Sequence, residues 1–363
     1  MERNALPQKE RFNAVDIAKF IMAFCVISIH TCYIFFENSI ANAIFGSVLI
    51  RFAVPFFFVA SGFFFFRDIV FENGRIKKCP ENRARLFKFL KRTALLYILW
   101  AIIYFAFEAF TYIDAGLPVS ALVKTYATTI LTDGFSGQFW YLLFMIYSTV
   151  ILYVLLRFIR IEITAAIIGV LFLLFLYYYT YRSRFQSDFL ANILSPIMAI
   201  RFKSINMKFA MYLIYAALGF LFSGLLCVQL RNKISKRLSG ILLLVSIILS
   251  LAENILMDIF LSEHLRIKSA SYSLFLLPVA FFGFIFLSKL DVKGNPKIFT
   301  FLRSGSSFIY CSHILVLMIF NFLTDRAFVN KPVIFPIICG ITLALTLIYV
   351  PLSGKIKFLK KLY

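Results

Sequence analysis

Charged residues divide the chain into ten mostly apolar runs, each close to the roughly 20 residues a helix needs to cross a hydrocarbon core about 30 Å thick. They are approximately Val15–Phe36, Ala43–Phe66, Thr93–Ile113, Gln138–Leu156, Ile163–Tyr179, Met207–Val228, Leu238–Phe260, Ser271–Ser288, Ser304–Thr324 and Val333–Ser353. Backbone polar groups in lipid must be paired within the protein, so such runs become helices or strands of a closed barrel. Barrel strands alternate polar and apolar positions over about 10 residues, and a run such as Leu242–Leu251 has no alternation. The expected fold is therefore all-α and polytopic, with about ten transmembrane helices. A chain that is 61% hydrophobic and 15% charged excludes a soluble enzyme, and its 46 Phe and 18 Tyr exclude disorder. We expect one membrane-embedded domain over residues 1–363 and no separate soluble domain.

The net charge of +21 would point to nucleic acid in a soluble protein. Its placement gives another reason. With the N-terminus in the cytoplasm, 26 of the 38 Lys and Arg fall in inside segments and ten outside, while Lys19 and Arg51 lie within spans. That asymmetry is the positive-inside bias, so both termini are expected in the cytoplasm and no nucleic-acid partner is needed. The first run resembles a signal peptide in its basic leader, but it is long and is interrupted by Lys19 and His30, so we expect it to be retained. Pro118–Gly137 is too polar to span and reads as an outer re-entrant or interfacial segment. None of the six cysteines forms a CxxC pair, and Cys311-x-His313 lacks two further ligands, so no metal is expected.

Ionisable residues inside spans cost several kcal/mol on insertion scales and are functional candidates by default. Here they are Asp16, Lys19, His30, Arg51, Glu108, Glu253, Asp258 and His313. At about 100° per residue, Lys19 and His30 lie within roughly 20° of each other around the first helix, and Asp16 falls in the same sector. Lys19 and His30 are about 16.5 Å apart along the axis, so one face carries a cation near the inner surface and an imidazole in the outer half. That face forms one wall of a polar passage, or else it snorkels at Lys19, caps at Asp16 and packs at His30. In the second span, Pro55 loosens the helix and Ala60-Ser61-Gly62 admits a second backbone closely.

Several of these residues stand in recognisable strings. Asp16-Ile17-Ala18-Lys19, the spacing Lys19-x10-His30, and Arg51-Phe52-Ala53-Val54-Pro55-Phe56-Phe57-Phe58-Val59-Ala60-Ser61-Gly62-Phe63 together resemble acyltransferase family 3 of integral membrane proteins. Phe139-Trp140-Tyr141-Leu142 is similar to that family's entrance to a middle span, and Ser307-Phe308-Ile309-Tyr310-Cys311-Ser312-His313 to its late Ser-Tyr-x-x-Tyr-x-x-His run. Lys stands at position 19 where Arg is commoner, which keeps the charge but loses bidentate geometry. Glu253, His264 and Ser271–Pro278 resemble the subgroup that includes the membrane half of vancomycin-type serine racemases.

The resemblance implies transfer of an acyl group, most often acetyl from acetyl-CoA, to a hydroxyl of an extracytoplasmic or lipid-linked glycan, in a bacterial cytoplasmic membrane. On that basis His30 deprotonates the acceptor hydroxyl or briefly carries the acyl group, Lys19 meets the CoA end, and Asp16 orients Lys19. Arg51 would stabilise the oxyanion or hold an anion, or else simply reaches the headgroups, and Ser61 would line the substrate site. Glu253 either binds the acceptor sugar or pairs with Arg51. Trp140 either stacks on a sugar or belongs to the interfacial belt, and His313 either faces the same cavity or packs. The cations from Arg67 to Arg92 either hold CoA phosphates or reflect topology and anionic lipid. The rival class is a transporter of a small polar or amino-acid solute without covalent chemistry, for which broken helices near Pro55 or Pro278 would suit alternating access.

Overall fold

The computed structural model describes residues 10–31, 50–176, 209, 212–261, 273–327, 333–356 and 359–363. Among these the regular structure is helical apart from one two-stranded hairpin. The helices are α1 (Asn13–Thr31), α2 (Arg51–Phe66), α3 (Pro80–Asp114), α4 (Val119–Thr129), α5 (Trp140–Phe158) and α6 (Ile161–Leu176), then α7 (Tyr212–Leu230), whose first eight residues are π-helical, α8 (Lys236–Leu261), α9 (Leu276–Ser288), α10 (Pro296–Leu323) and α11 (Ile334–Lys355). Seven of them are long and apolar enough to cross a membrane, and α2, α6 and α9 are shorter apolar helices. Each of the ten expected spans is thus matched by a helix, and the protein is an all-α polytopic membrane protein.

Two helices begin well before their apolar runs. The third span was expected from Thr93, but α3 starts at Pro80, where Cys79 is extended, proline occupies the first turn and Glu81 adds an acidic residue near the helix N-terminus. The ninth was expected from Ser304, but α10 starts at Pro296, with Asn295 as N-cap accepting from the Lys297 N–H at 2.9 Å. Charges end an apolar run without ending a helix, so Arg83, Arg85, Lys88, Lys91 and Arg92 ride on α3 and not on a loop. The hairpin β1 (Phe71–Glu72) and β2 (Arg75–Ile76) turns at Asn73 and Gly74, both at positive φ (50° and 73°), as an Asn-Gly type I′ turn requires. The polar outer stretch holds α4, which is largely exposed.

Aliphatic side chains on α8 (Ile241, Leu244, Val245, Ile248) and α11 (Ile341, Leu345, Leu347, Ile348) are left uncovered by protein, as lipid-facing surfaces should be. The most extensive helix pairs are α2 with α7, α1 with α10, and α8 with α9. The first has a plain cause in small residues. A Cβ on Gly62 would overlap the Leu221 carbonyl oxygen, and one on Gly224 would overlap the Val59 carbonyl and stand 2.6 Å from the Phe63 nitrogen. Gly224→Ala should therefore force the two backbones apart. We expect a loss of about 1 to 3 kcal/mol, read as a lower apparent Tm in detergent, and an unchanged Tm would show that the helices do not meet there.

α1 and α10 are parallel. Asp16 meets Arg303 at one end of the pair, and His30 faces His313 further along both chains. An alternating topology requires this of a first and a ninth span.

Candidate active site

The site grows from the α1–α10 pair. At its inner end the buried Asp16 carboxylate takes two hydrogen bonds from Arg303, Nε to Oδ1 at 3.0 Å and Nη2 to Oδ2 at 2.6 Å. This is the bidentate fork that guanidinium and carboxylate favour. Asp16 was expected to orient Lys19, but its direct partner is Arg303, a residue that sequence reasoning had counted only among the inside cations. Lys19 lies one turn further along, half-buried, with Nζ 5.8 Å from the centroid of the Phe64 ring, within cation–π reach. The charges of Asp16, Arg303 and Arg92 all bear on Lys19. Nearby, Arg231 reaches Glu10 with both Nη groups and lies over Phe12, fixing the residues just before α1 to the end of α7.

At the outer end His30 is exposed on α1, and its ring centroid lies 5.3 Å from that of His313 with 44° between the planes. His313 is buried on α10. Its Nδ1 is 3.1 Å from the Ile309 carbonyl oxygen, while Nε2 is buried with no hydrogen-bond partner among the described residues. Of the two uses left open for His313, the structure brings it to the same place as His30.

Behind the two imidazoles lies a layer of buried hydroxyls and one amide. Tyr310 donates to the Gln138 carbonyl oxygen, and Gln138 Nε2 donates to the Tyr104 hydroxyl at 2.6 Å. Ser136 donates to Gln138 Oε1 at 3.0 Å, and Ser61 Oγ lies 3.1 Å from the Tyr141 hydroxyl, whose ring packs edge-on against Tyr310. Ser61 is therefore part of this layer, joined through Tyr141. Tyr104 and Gln138 were not singled out from the sequence. A tyrosine in an apolar span and an amide at the first residue of another carry no local signal of their function.

The remaining expected site residues have the following surroundings. Glu253 Oε1 accepts from the Leu274 N–H at 2.8 Å and Oε2 from the Phe275 N–H at 3.1 Å, so the carboxylate seats the N-terminus of α9. Trp140 has one ring face occupied by Tyr212, with centroids 4.3 Å apart and 11° between the planes, so that face is closed to a sugar. Arg51 opens α2 and is half-buried. Glu108 is half-buried on the outer part of α3. The Asp258 side chain and all of His264 lie outside the described residues. Among the described residues no group of three or more His, Cys, Asp or Glu is placed to hold a metal ion.

A family model described as an acyltransferase domain matches residues 12–350. Among curated proteins the chain is similar to an amino-acid racemase of Enterococcus faecalis, 28% identical over 137 residues, covering 38% of this chain and 17% of that protein. It is likewise similar to a serine/alanine racemase of Enterococcus gallinarum, 27% identical over 128 residues, covering 35% of this chain and 17% of that one. The matches thus take in less than a fifth of either racemase. No solved structure matches. A domain match running from the start of α1 into α11 takes in Asp16, Lys19, His30, Arg303 and His313 alike, and the chain belongs to acyltransferase family 3.

Proposed function

We propose that this membrane acyltransferase moves an acyl group, in the first instance acetyl, from cytoplasmic acyl-CoA to a hydroxyl of an extracytoplasmic or lipid-linked glycan. The proposed setting is a bacterial cytoplasmic membrane. The observation that carries this reading is the pairing of His30 with His313 in the outer half of a helix whose inner end holds Lys19 and Arg303. A hydroxyl is a weak nucleophile, and a neutral imidazole is the side chain best suited to take its proton.

In the proposed reaction His30 removes the hydroxyl proton while the acceptor oxygen attacks the thioester carbonyl. The carbon–sulfur bond breaks, the ester bond forms, and the proton is delivered to the departing CoA thiolate. A variant of the same chemistry parks the acyl group on His30 between two half-reactions. Lys19, with Arg303 and Arg92 beside it, supplies positive charge on the side from which an anionic donor enters. The roughly 16.5 Å between Lys19 and His30 suits an extended pantetheine arm reaching outward. Arg51 is assigned to the acceptor side or the oxyanion, and Ser61 to the wall of the site.

The test is purified protein in liposomes supplied with acetyl-CoA and envelope glycans, following free thiol and acceptor mass together. Acyl transfer with release of CoA is expected. Saturable solute flux without CoA release would overturn the reading in favour of a transporter. Lys19→Ala should raise KM for acyl-CoA by roughly tenfold, as expected for losing one charge-assisted contact, with the acceptor KM little changed. An equal rise in both would remove Lys19 from the donor side.

A further inference from the structure

The buried layer behind the imidazoles contains a device that the acyl-transfer reading does not use. The Tyr104 hydroxyl has one proton and two lone pairs, and all three are engaged. It donates to the Cys311 carbonyl at 3.0 Å, accepts from the Leu315 N–H at 2.9 Å and accepts from Gln138 Nε2 at 2.6 Å. Cys311 and Leu315 are four residues apart on α10, so their carbonyl and N–H form one rung of the helix ladder. A side chain of α3 has been placed across that rung, one of the few things that locally re-aims a helix. The residue at the middle of the rung is His313.

The carbonyl of the rung on the other side of His313 takes a side-chain contact too. The Ile309 carbonyl, four residues back, lies 3.1 Å from the His313 ring nitrogen Nδ1. A carbonyl only accepts, so in the neutral ring Nδ1 carries the proton and Nε2 carries the lone pair. That lone pair is buried without a partner among the described residues, beside His30. A buried acceptor left unpaired is costly to the fold, which marks it as a candidate for function. Gln138 fixes the other end of the device. Its amide donates to Tyr104 and accepts from Ser136, and its backbone carbonyl accepts from Tyr310, so the α3–α10 contact is tied to the turn before α5.

We infer that Tyr104 is a positioning residue for His313: held by Gln138 across the Cys311–Leu315 rung, it keeps the His313 imidazole against His30 with Nε2 open to accept a proton. His313 is then the second imidazole of the site and the proton partner of His30. The role in catalysis rests on the acyltransfer reading above, whereas the positioning itself does not.

The sequence makes the test tractable, because the chain has three histidines. Protein labelled with 15N in the imidazoles is placed in nanodiscs without substrate, and its signals are assigned with His264→Gln and His313→Gln. In the wild type, His313 is expected as a single neutral tautomer protonated at Nδ1. In Tyr104→Phe that signal should average or split toward the other tautomer, and Gln138→Leu should shift it in the same direction. Tyr97→Phe is the control. It removes another buried hydroxyl of α3, one that donates to the Ile130 carbonyl at 2.6 Å, and should leave His313 unchanged. With acyl-CoA and acceptor present, Tyr104→Phe should lower kcat by roughly 10- to 100-fold while both KM values stay within about twofold. An identical His313 signal in Tyr104→Phe and wild type, or an equal disturbance in Tyr97→Phe, overturns the positioning role. An altered signal with no acyl transfer in the wild type would leave the positioning standing and remove the reaction.

Discussion

His30→Ala protein, inserted and folded, is expected to lose acyl transfer by a factor of roughly 100 to 10,000, the range that a positioned general base contributes. The substitution should be nearly silent for stability. His30 lies at the exposed outer end of α1, and an alanine there leaves the helix and its packing against α10 intact. The informative measurement is therefore paired: thiol release in liposomes, and an apparent Tm on the same preparation. His30→Gln separates the two chemistries, since glutamine fills the space and keeps hydrogen bonding but can neither take a proton at neutral pH nor carry an acyl group. Turnover near the wild-type rate in either variant would sink the assignment of His30.

Arg303→Ala should act in the opposite way, through the fold. Asp16 is 2% exposed, and without the guanidinium its carboxylate is left buried without its bidentate partner. Breaking a buried pair from one side costs about 3 to 5 kcal/mol, and the low end applies here because the Arg303 side chain is itself 56% exposed. The double variant Asp16→Ala/Arg303→Ala should recover much of the loss, because no charge then remains to be desolvated. Lysine lacks the planar two-pronged donor, so Arg303→Lys should restore the charge but only part of the stability. Apparent Tm values for the wild type, Asp16→Ala, Arg303→Ala and the double variant complete the cycle. Additive losses would show that the two residues do not act as a pair.

The architecture was legible in the sequence because lipid allows so few backbone solutions. Apolar length located the spans, and Ala60-Ser61-Gly62 gave away a close helix crossing. The polar face of α1 was also legible, since helical periodicity fixes which residues of one helix share a side. Partners across helices were not. Arg303 belongs to a group of inside cations, and only the crossing of α10 with α1 distinguishes it from its neighbours. Glu253 read as a sugar or arginine ligand because an acid in a span draws attention to charges, while the Leu274 and Phe275 backbone N–H groups that it also accepts from are displayed by no sequence. Tyr104 and Gln138 escaped for a related reason. Their importance lies in which rung of another helix the hydroxyl reaches, a tertiary fact with no local pattern.

The Asp16–Arg303 fork also sets a schedule for synthesis. Its two ends are separated by 287 residues, so α1 leaves the ribosome with a carboxylate whose partner does not yet exist. At roughly 5 to 20 residues per second, the wait is about 15 to 60 s. Throughout it, Asp16 and Lys19 must remain near water, in the insertion machinery or beside each other, and His30 has no His313 to face. A nascent chain stopped short of α10 would therefore carry in its first helix a carboxylate without the guanidinium that the finished fold gives it.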